Sequence, residues 1–153
     1  MKRIFILIFT ILTLVMTFSG CQRAAFVPLK IGAAVSFTAK DYHCKGDFLF
    51  EKEGIKRFTL SEPTVINGCF AEEKNGRLCI SYDRISAEIQ PNSPLKRLFS
   101  IAEDFTSKEH KIPQSGIEII KGITEEGSYE IEFDCSEKRI LKIITEETEY
   151  IFQ

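Results

Sequence analysis

The chain has 153 residues, with 20 Lys+Arg against 22 Asp+Glu, 44% hydrophobic and 27% charged. These figures fit one ordinary globular domain and exclude a disordered tail protein, a collagenous repeat and a multi-span membrane protein. The near-neutral, slightly acidic balance also offers no basic face for nucleic acid.

Charge is unevenly placed, since no acidic residue precedes Asp41. Met1-Lys2-Arg3 is a short basic start, and Ile4 to Met16 is an apolar run shorter than the ~20 residues needed to span a bilayer. This is the layout of an export signal. It ends in Phe18-Ser19-Gly20-Cys21, which resembles a bacterial lipobox, the small residues Ser19 and Gly20 preceding a cysteine that is lipidated. Phe18 stands where that pattern prefers Leu. An uncleaved anchor, or a secretory signal cut nearby, is the alternative. The expectation is a signal over residues 1–20, lipidation at Cys21, a tether over 21–33 and one domain over 34–153. All of these readings put the domain outside the cytoplasm, held at the cell membrane.

From Val35 onward, short runs alternate between apolar and polar residues, the pattern of antiparallel strands with one wet face. Val35 to Ala39 is the first run, and Lys45-Gly46 reads as a break. Phe48 to Glu51 follows, with a turn at Glu53-Gly54, then Lys56 to Ser61 up to Glu62-Pro63. Val65-Ile66 and Cys69-Phe70 read as a fourth strand bent at Asn67-Gly68. Asn75-Gly76 is a strong hairpin signal, and it leads into Arg77–Tyr82 and then Ile85–Ile89.

Ser93-Pro94 offers a helix cap and a proline at the first helical position. Leu95, Leu98, Phe99, Ala102 and Phe105 then recur at helical spacing, predicting one helix over 94–106 that lays its apolar stripe on the sheet. Residues 106–116 read as a polar loop. Tyr129 to Cys135 alternates cleanly, and Arg139–Ile144 with Glu149–Phe152 completes a C-terminal meander.

This order of elements resembles lipoprotein carriers of the LolA/LolB type. The likeness runs through Phe37-Thr38-Ala39, Gly46-Asp47-Phe48-Leu49-Phe50, Phe58 to Pro63, Asn75 to Tyr82, the helix, and the Tyr129–Ile144 hairpin. It rests on pattern rather than a diagnostic motif. Small lipoproteins of Gram-positive bacteria with a similar strand order, and no known ligand, are the nearer likeness. The resemblance implies an α+β, mainly β fold: a curved, incompletely closed antiparallel β-barrel with one helix packed on its concave face. It implies binding of a lipid or other apolar ligand in that cavity. The chain is shorter than the carriers and has no Trp, whereas their cavities are often lined by it.

In such a half-barrel the inward set would be Val35, Phe37, Phe48, Phe50, Phe58, Leu60, Ile80, Tyr82, Ile131 and Phe133, closed by Leu95, Leu98 and Phe99. The alternative is that these side chains simply pack on one another. The chain would then be an interaction module, an inhibitor or accessory subunit of an envelope protein, working through residues 108–115 or 68–76.

Four cysteines remain besides Cys21. Cys69 and Cys79 flank a hairpin turn and could pair, leaving Cys44 with Cys135; four buried free thiols are the alternative. No close C-x₂₋₄-C spacing points to zinc, and no cofactor is expected. His43 adjoins Cys44, but neighbouring strand residues face opposite ways, so the two do not form a dyad. His110 lies in a charged loop and reads as solvated. Glu125-Glu126 and Glu146-Glu147 read as turn charges. With no elbow, P-loop or zinc-protease motif, a non-enzymatic protein is expected.

Overall fold

In the computed structural model, residues 30–39 and 42–153 are described. The expected signal, the lipidation at Cys21 and most of the tether lie outside the described residues.

Ten strands form one antiparallel sheet: β1 (Lys30–Ala39), β2 (Tyr42–Glu51), β3 (Lys56–Glu62), β4 (Phe70–Lys74), β5 (Arg77–Tyr82), β6 (Ile85–Glu88), β7 (Ile117–Thr124), β8 (Gly127–Asp134), β9 (Arg139–Thr145) and β10 (Glu149–Phe152). The helix α1 (Pro94–Ser107) connects β6 to β7. The order across the sheet is β6-β5-β4-β3-β2-β1-β10-β9-β8-β7, so two meanders are joined where β1 pairs with β10, and β6 and β7 remain as edges. Among the described residues the sheet is not closed.

Its curvature follows from what its two ends share. Leu78 on β5 and Thr124 on β7 line one groove with Phe99 of α1. In a flat sheet these strands would stand ~40 Å apart at ~4.8 Å per strand, so the sheet must curve to bring its two ends to one groove. Register shifts at Lys45/Gly46 and Glu132/Phe133 supply bends. Gly46, expected to break the chain, instead lies within β2. A Cβ there would collide with the Thr59 carbonyl and the Phe58 ring, so the missing side chain is what admits that ring. Gly122 likewise makes room for Tyr129, whose ring lies across it.

Three boundaries differ from expectation. Lys30–Ala33, assigned to the tether, extend β1 and pair with Phe48–Glu51; Gly32, Ala33 and Ala34 are too small to show an alternation. Val65 and Ile66 lie in a 3-10 turn rather than a strand. Residues 117–124, to which the pattern assigned nothing, form β7. The Asn75-Gly76 hairpin turn forms as expected, with both residues at positive φ.

The helix begins where the sequence indicates. The Ser93 side chain accepts a hydrogen bond from the Lys96 amide at 3.1 Å, and Pro94 occupies the first turn. Its buried face comprises Arg97, Leu98, Phe99, Ile101, Ala102, Phe105 and Thr106, while Leu95 is half-buried. Phe99 meets Phe48 and Phe50 at centroid distances of 5.3 and 6.4 Å, and Phe105 meets Phe133 at 6.0 Å. Two phenols fasten the helix from below: Tyr150 donates to the Pro94 carbonyl at 2.8 Å, and Tyr129 donates to Asp104 at 2.5 Å. Arg97 is buried and reaches Glu147 at 3.0 Å, in the loop between β9 and β10.

Two predictions follow from this packing. Gly46→Ala should cost about 1–3 kcal/mol, because the Phe58 ring and the Thr59 backbone must move; the check is a lower urea midpoint at unchanged slope. Burial holds the Tyr129 and Tyr150 phenols above their ordinary value, with the Asp104 carboxylate adding to the effect at Tyr129. Unfolding frees phenols that ionise near pH ~10. Their contribution to stability is therefore intact below about pH 10 and declines as pH rises past it, since the unfolded chain loses its protons first. Tyr129→Phe with Tyr150→Phe should flatten that alkaline decline relative to the parent, measured by urea midpoints at stepwise higher pH.

Candidate functional site

Ten of the thirteen residues expected to line a cavity pack into one core. Val35, Phe37, Phe48, Phe50, Phe58, Leu60, Leu98, Phe99, Ile131 and Phe133 are all buried in one core. Phe37 stacks edge-on to Phe58 at 5.9 Å and lies 5.4 Å from Tyr150, while Phe48 lies 6.2 Å from Phe58. These are ordinary spacings for aromatic rings in contact. Ile80 is half-buried, and Tyr82 is exposed at the far end of β5. The inward set is thus a solid core around α1, except at the β5–β6 end. There Tyr82 and Ile85 face each other across the ladder, 55% and 74% exposed, and Val65 of the 3-10 turn is 90% exposed.

Apolar space remains at a different place. A pocket of about 200 Å³ opens between the start of β1, the β8–β9 turn, the end of β10 and the last turn of α1. Its apolar wall is Ile31, Ala33, Phe105, Phe133, Ile140 and Phe152, and its rim carries Lys30, Lys138 and Arg139. Of the predicted lining residues only Phe133 belongs to it. Ile140 and Phe152 stand at inward positions of strands whose alternation is plain in the sequence. Ile31 was hidden by the misassigned tether, and Phe105 by its reading as a helix-stripe residue.

The rim is built by a short turn. The Asp134 carboxylate accepts from the amides of Ser136 and Glu137 at 2.8 and 3.0 Å, and Lys138 takes a positive φ, which turns the chain back into β9. Arg139 donates to Glu137 at 2.5 Å, and Lys30 pairs with Glu51 at 2.7 Å. The hydrogen bond and charge of Lys30 hold the Glu51 carboxyl below its ordinary value. Lys138 makes no ion pair among the described residues. The pocket therefore joins an apolar wall to a rim of three cations, of which Lys138 alone has no ion pair among the described residues.

A second groove, about 460 Å³, runs between α1, the β4–β5 turn and the β7–β8 turn. Most of its lining residues are polar or charged. Lys56 bridges Glu73 at 3.2 Å and Glu103 at 2.7 Å, and Asp104 is held by both Tyr129 and Lys108. Glu125 and Glu126 enter from the turn they form. Such a surface offers little to an acyl chain.

Among the described residues, the cysteines and histidines form no reactive group. Cys44, Cys69, Cys79 and Cys135 are all free thiols, the alternative to the two possible disulfides. The ladder explains the first: Cys79 stands opposite Glu72, while Cys69 lies beyond Phe70, which faces Ser81, and on the other face of the sheet. Cys44 on β2 and Cys135 after β8 are separated by β1, β10 and β9. Burial pushes both of those thiols up, away from the reactive thiolate. His43 is exposed, with Nδ1 3.5 Å from the Thr38 hydroxyl, and points away from Cys44. His110 departs from expectation: it is half-buried, stacks on Phe105 at 4.8 Å and reaches the Phe105 carbonyl at 3.0 Å, capping the helix end. No group of three or more potential metal-ligating side chains converges among the described residues.

No family model matches the chain. No curated protein matches it either. Among solved structures, the chain is similar to a LolA superfamily protein from Nitrosomonas europaea, at 9% identity over 81% of this chain and 82% of that one, with a TM-score of 0.35. A likeness that distant carries no argument about function, which rests on the geometry above.

Proposed function

We infer that this chain is a non-catalytic, extracytoplasmic lipoprotein, anchored through Cys21, whose half-barrel with its helix plugging the concave side binds an apolar chain with an anionic head. The observation that carries this reading is the pocket between Ile31, Phe105, Phe133, Ile140 and Phe152, with Lys138 and Arg139 at its mouth. Its volume equals roughly six or seven molecules of liquid water at ~30 Å³ each, enough for the end of one acyl chain and not for a whole lipid. Burying about six methylenes contributes on the order of 5 kcal/mol, so binding in the upper-micromolar to millimolar range is expected before the cationic rim is counted. Lys30, on the rim, follows Cys21 by nine residues. An extended linker of that length covers no more than ~30 Å, which keeps the mouth within reach of the membrane surface.

A second reading draws on the filled core and on the exposed Val65, Tyr82 and Ile85. There the chain is an interaction module that holds an envelope protein by this apolar end, and the pocket is a packing defect.

Native mass spectrometry of the purified full chain in detergent, with a medium-chain fatty acid as the probe, separates the two. The lipid reading expects a 1:1 adduct that Lys138→Glu with Arg139→Glu weakens about tenfold, the combined worth of two exposed charges reversed in sign. An alcohol of equal chain length should bind more weakly and be little affected by those substitutions. An unchanged mass at millimolar probe removes the lipid reading.

A further inference from the structure

The apolar pocket beneath Lys30, Lys138 and Arg139 has a floor as well as a mouth. On β8, β9 and β10 its apolar wall takes one inward residue each, Phe133, Ile140 and Phe152, and on α1 it takes Phe105. The next inward residues along these elements are Ile131, Ile143, Tyr150 and Ile101. All four are fully buried, and none of them lines the pocket. β1 is different. There the pocket passes Ile31 and reaches a second inward position, Ala33, before the fully buried Val35 closes it. Two successive inward positions along a strand lie ~7 Å apart. The space is therefore a blind well, one side chain deep on three strands and two deep on β1.

The extra depth comes from the size of one residue. Ala33 has the smallest side chain of the six in the apolar wall, and it is half-buried between two buried neighbours on its face, Ile31 and Val35. Its cross-strand partner Phe48 packs against Phe50, Phe58 and Phe99 and leaves the space above Ala33 open.

We propose that Ala33 sets the chain length this site accepts: the terminal methyl of an acyl chain stops against it, while the carboxylate is held at the rim. This rests on the lipid reading of the pocket and adds a limit to it. The limit is about six carbons beyond the carboxyl, if each displaces roughly the volume of one water, ~30 Å³. Lys138, without an ion pair among the described residues, is the cation free to take the carboxylate. A chain longer than the limit cannot satisfy floor and rim together, so its extra carbons add nothing to affinity. A hydrophobic site of fixed depth discriminates in this way, one methylene at a time.

The test is an affinity series with straight-chain fatty acids from butyrate to decanoate. It is read by NMR on the isoleucine methyl groups of the full chain, held in a detergent that has no alkyl chain. In the parent, affinity should rise about fourfold per carbon up to heptanoate and then level off, with the Ile31 and Ile140 methyls shifting throughout. Ala33→Leu adds three carbons to the floor and should flatten the whole series, since butyrate already fills what is left. Ala33→Gly removes one carbon without crowding the core, and should move the levelling one carbon later, to octanoate. Ala34→Leu, on the opposite face of β1, should leave the series as it is in the parent. A levelling point that stays at heptanoate in both Ala33 variants overturns the role of Ala33 and leaves the lipid reading standing. So does a parent affinity that climbs on through decanoate. No methyl shift with any acid at millimolar concentration removes the lipid reading, and this inference with it.

Discussion

Three residue pairs, Val35–Phe152, Ser36–Ile151 and Phe37–Tyr150, join the two halves of the sheet. Every other strand pairing is between sequence neighbours, made by a hairpin that closes a short loop. The β1–β10 ladder instead brings together segments separated by more than two-thirds of the chain, at a larger cost in chain entropy. That cost is offset by what the closure buries. Val35 and Tyr150 are fully buried there, and Tyr150 also holds the first residue of the helix. Without this seam, β1–β6 and β7–β10 would be two curved meanders, each exposing half of an aromatic core, and α1 would have a partner on one side only.

The helix completes the same logic. It is the connection between the two meanders, and it puts Phe99 against β2 and Phe105 against β8, one ring for each half. Because aromatic side chains from both directions meet along it, little interior volume is left, and the apolar space that survives lies at the end where α1 stops and the strands run on. The position of the pocket follows helix length: α1 ends at Ser107, just past Phe105, and the wall beyond it is Ile31, Ile140 and Phe152.

Much of this was legible in the sequence, and the reasons for the rest are local. Ser93-Pro94 and the Leu/Phe stripe mark the helix because cap chemistry and 3.6-residue periodicity act within one segment. Asn75-Gly76 marks its hairpin for the same reason. It also dictates that residue 72 faces 79, which puts Cys69 and Cys79 on opposite faces; that exclusion was available from the turn alone. β7 escaped because Ile119-Ile120 are adjacent and Gly122 interrupts, so neither a clean alternation nor a continuous apolar run is visible. Lys30–Ala33 escaped because small side chains carry no pattern. Whether Phe37, Phe48 and Phe58 line a void or fill it could not be read from parity, which assigns a face and not a volume. It depends on Gly46 admitting the Phe58 ring, a contact between strands that only the register reveals.

The β1–β10 seam also sets a schedule. A ribosome makes β1 long before β10, so for most of synthesis β1 has one neighbour, its inward side chains have no opposite wall, and the core cannot be sealed. Topologies of this kind fold late, because their long-range pairing has to await the far segment. Until the far segment arrives, the growing chain is a loose meander rather than a finished domain.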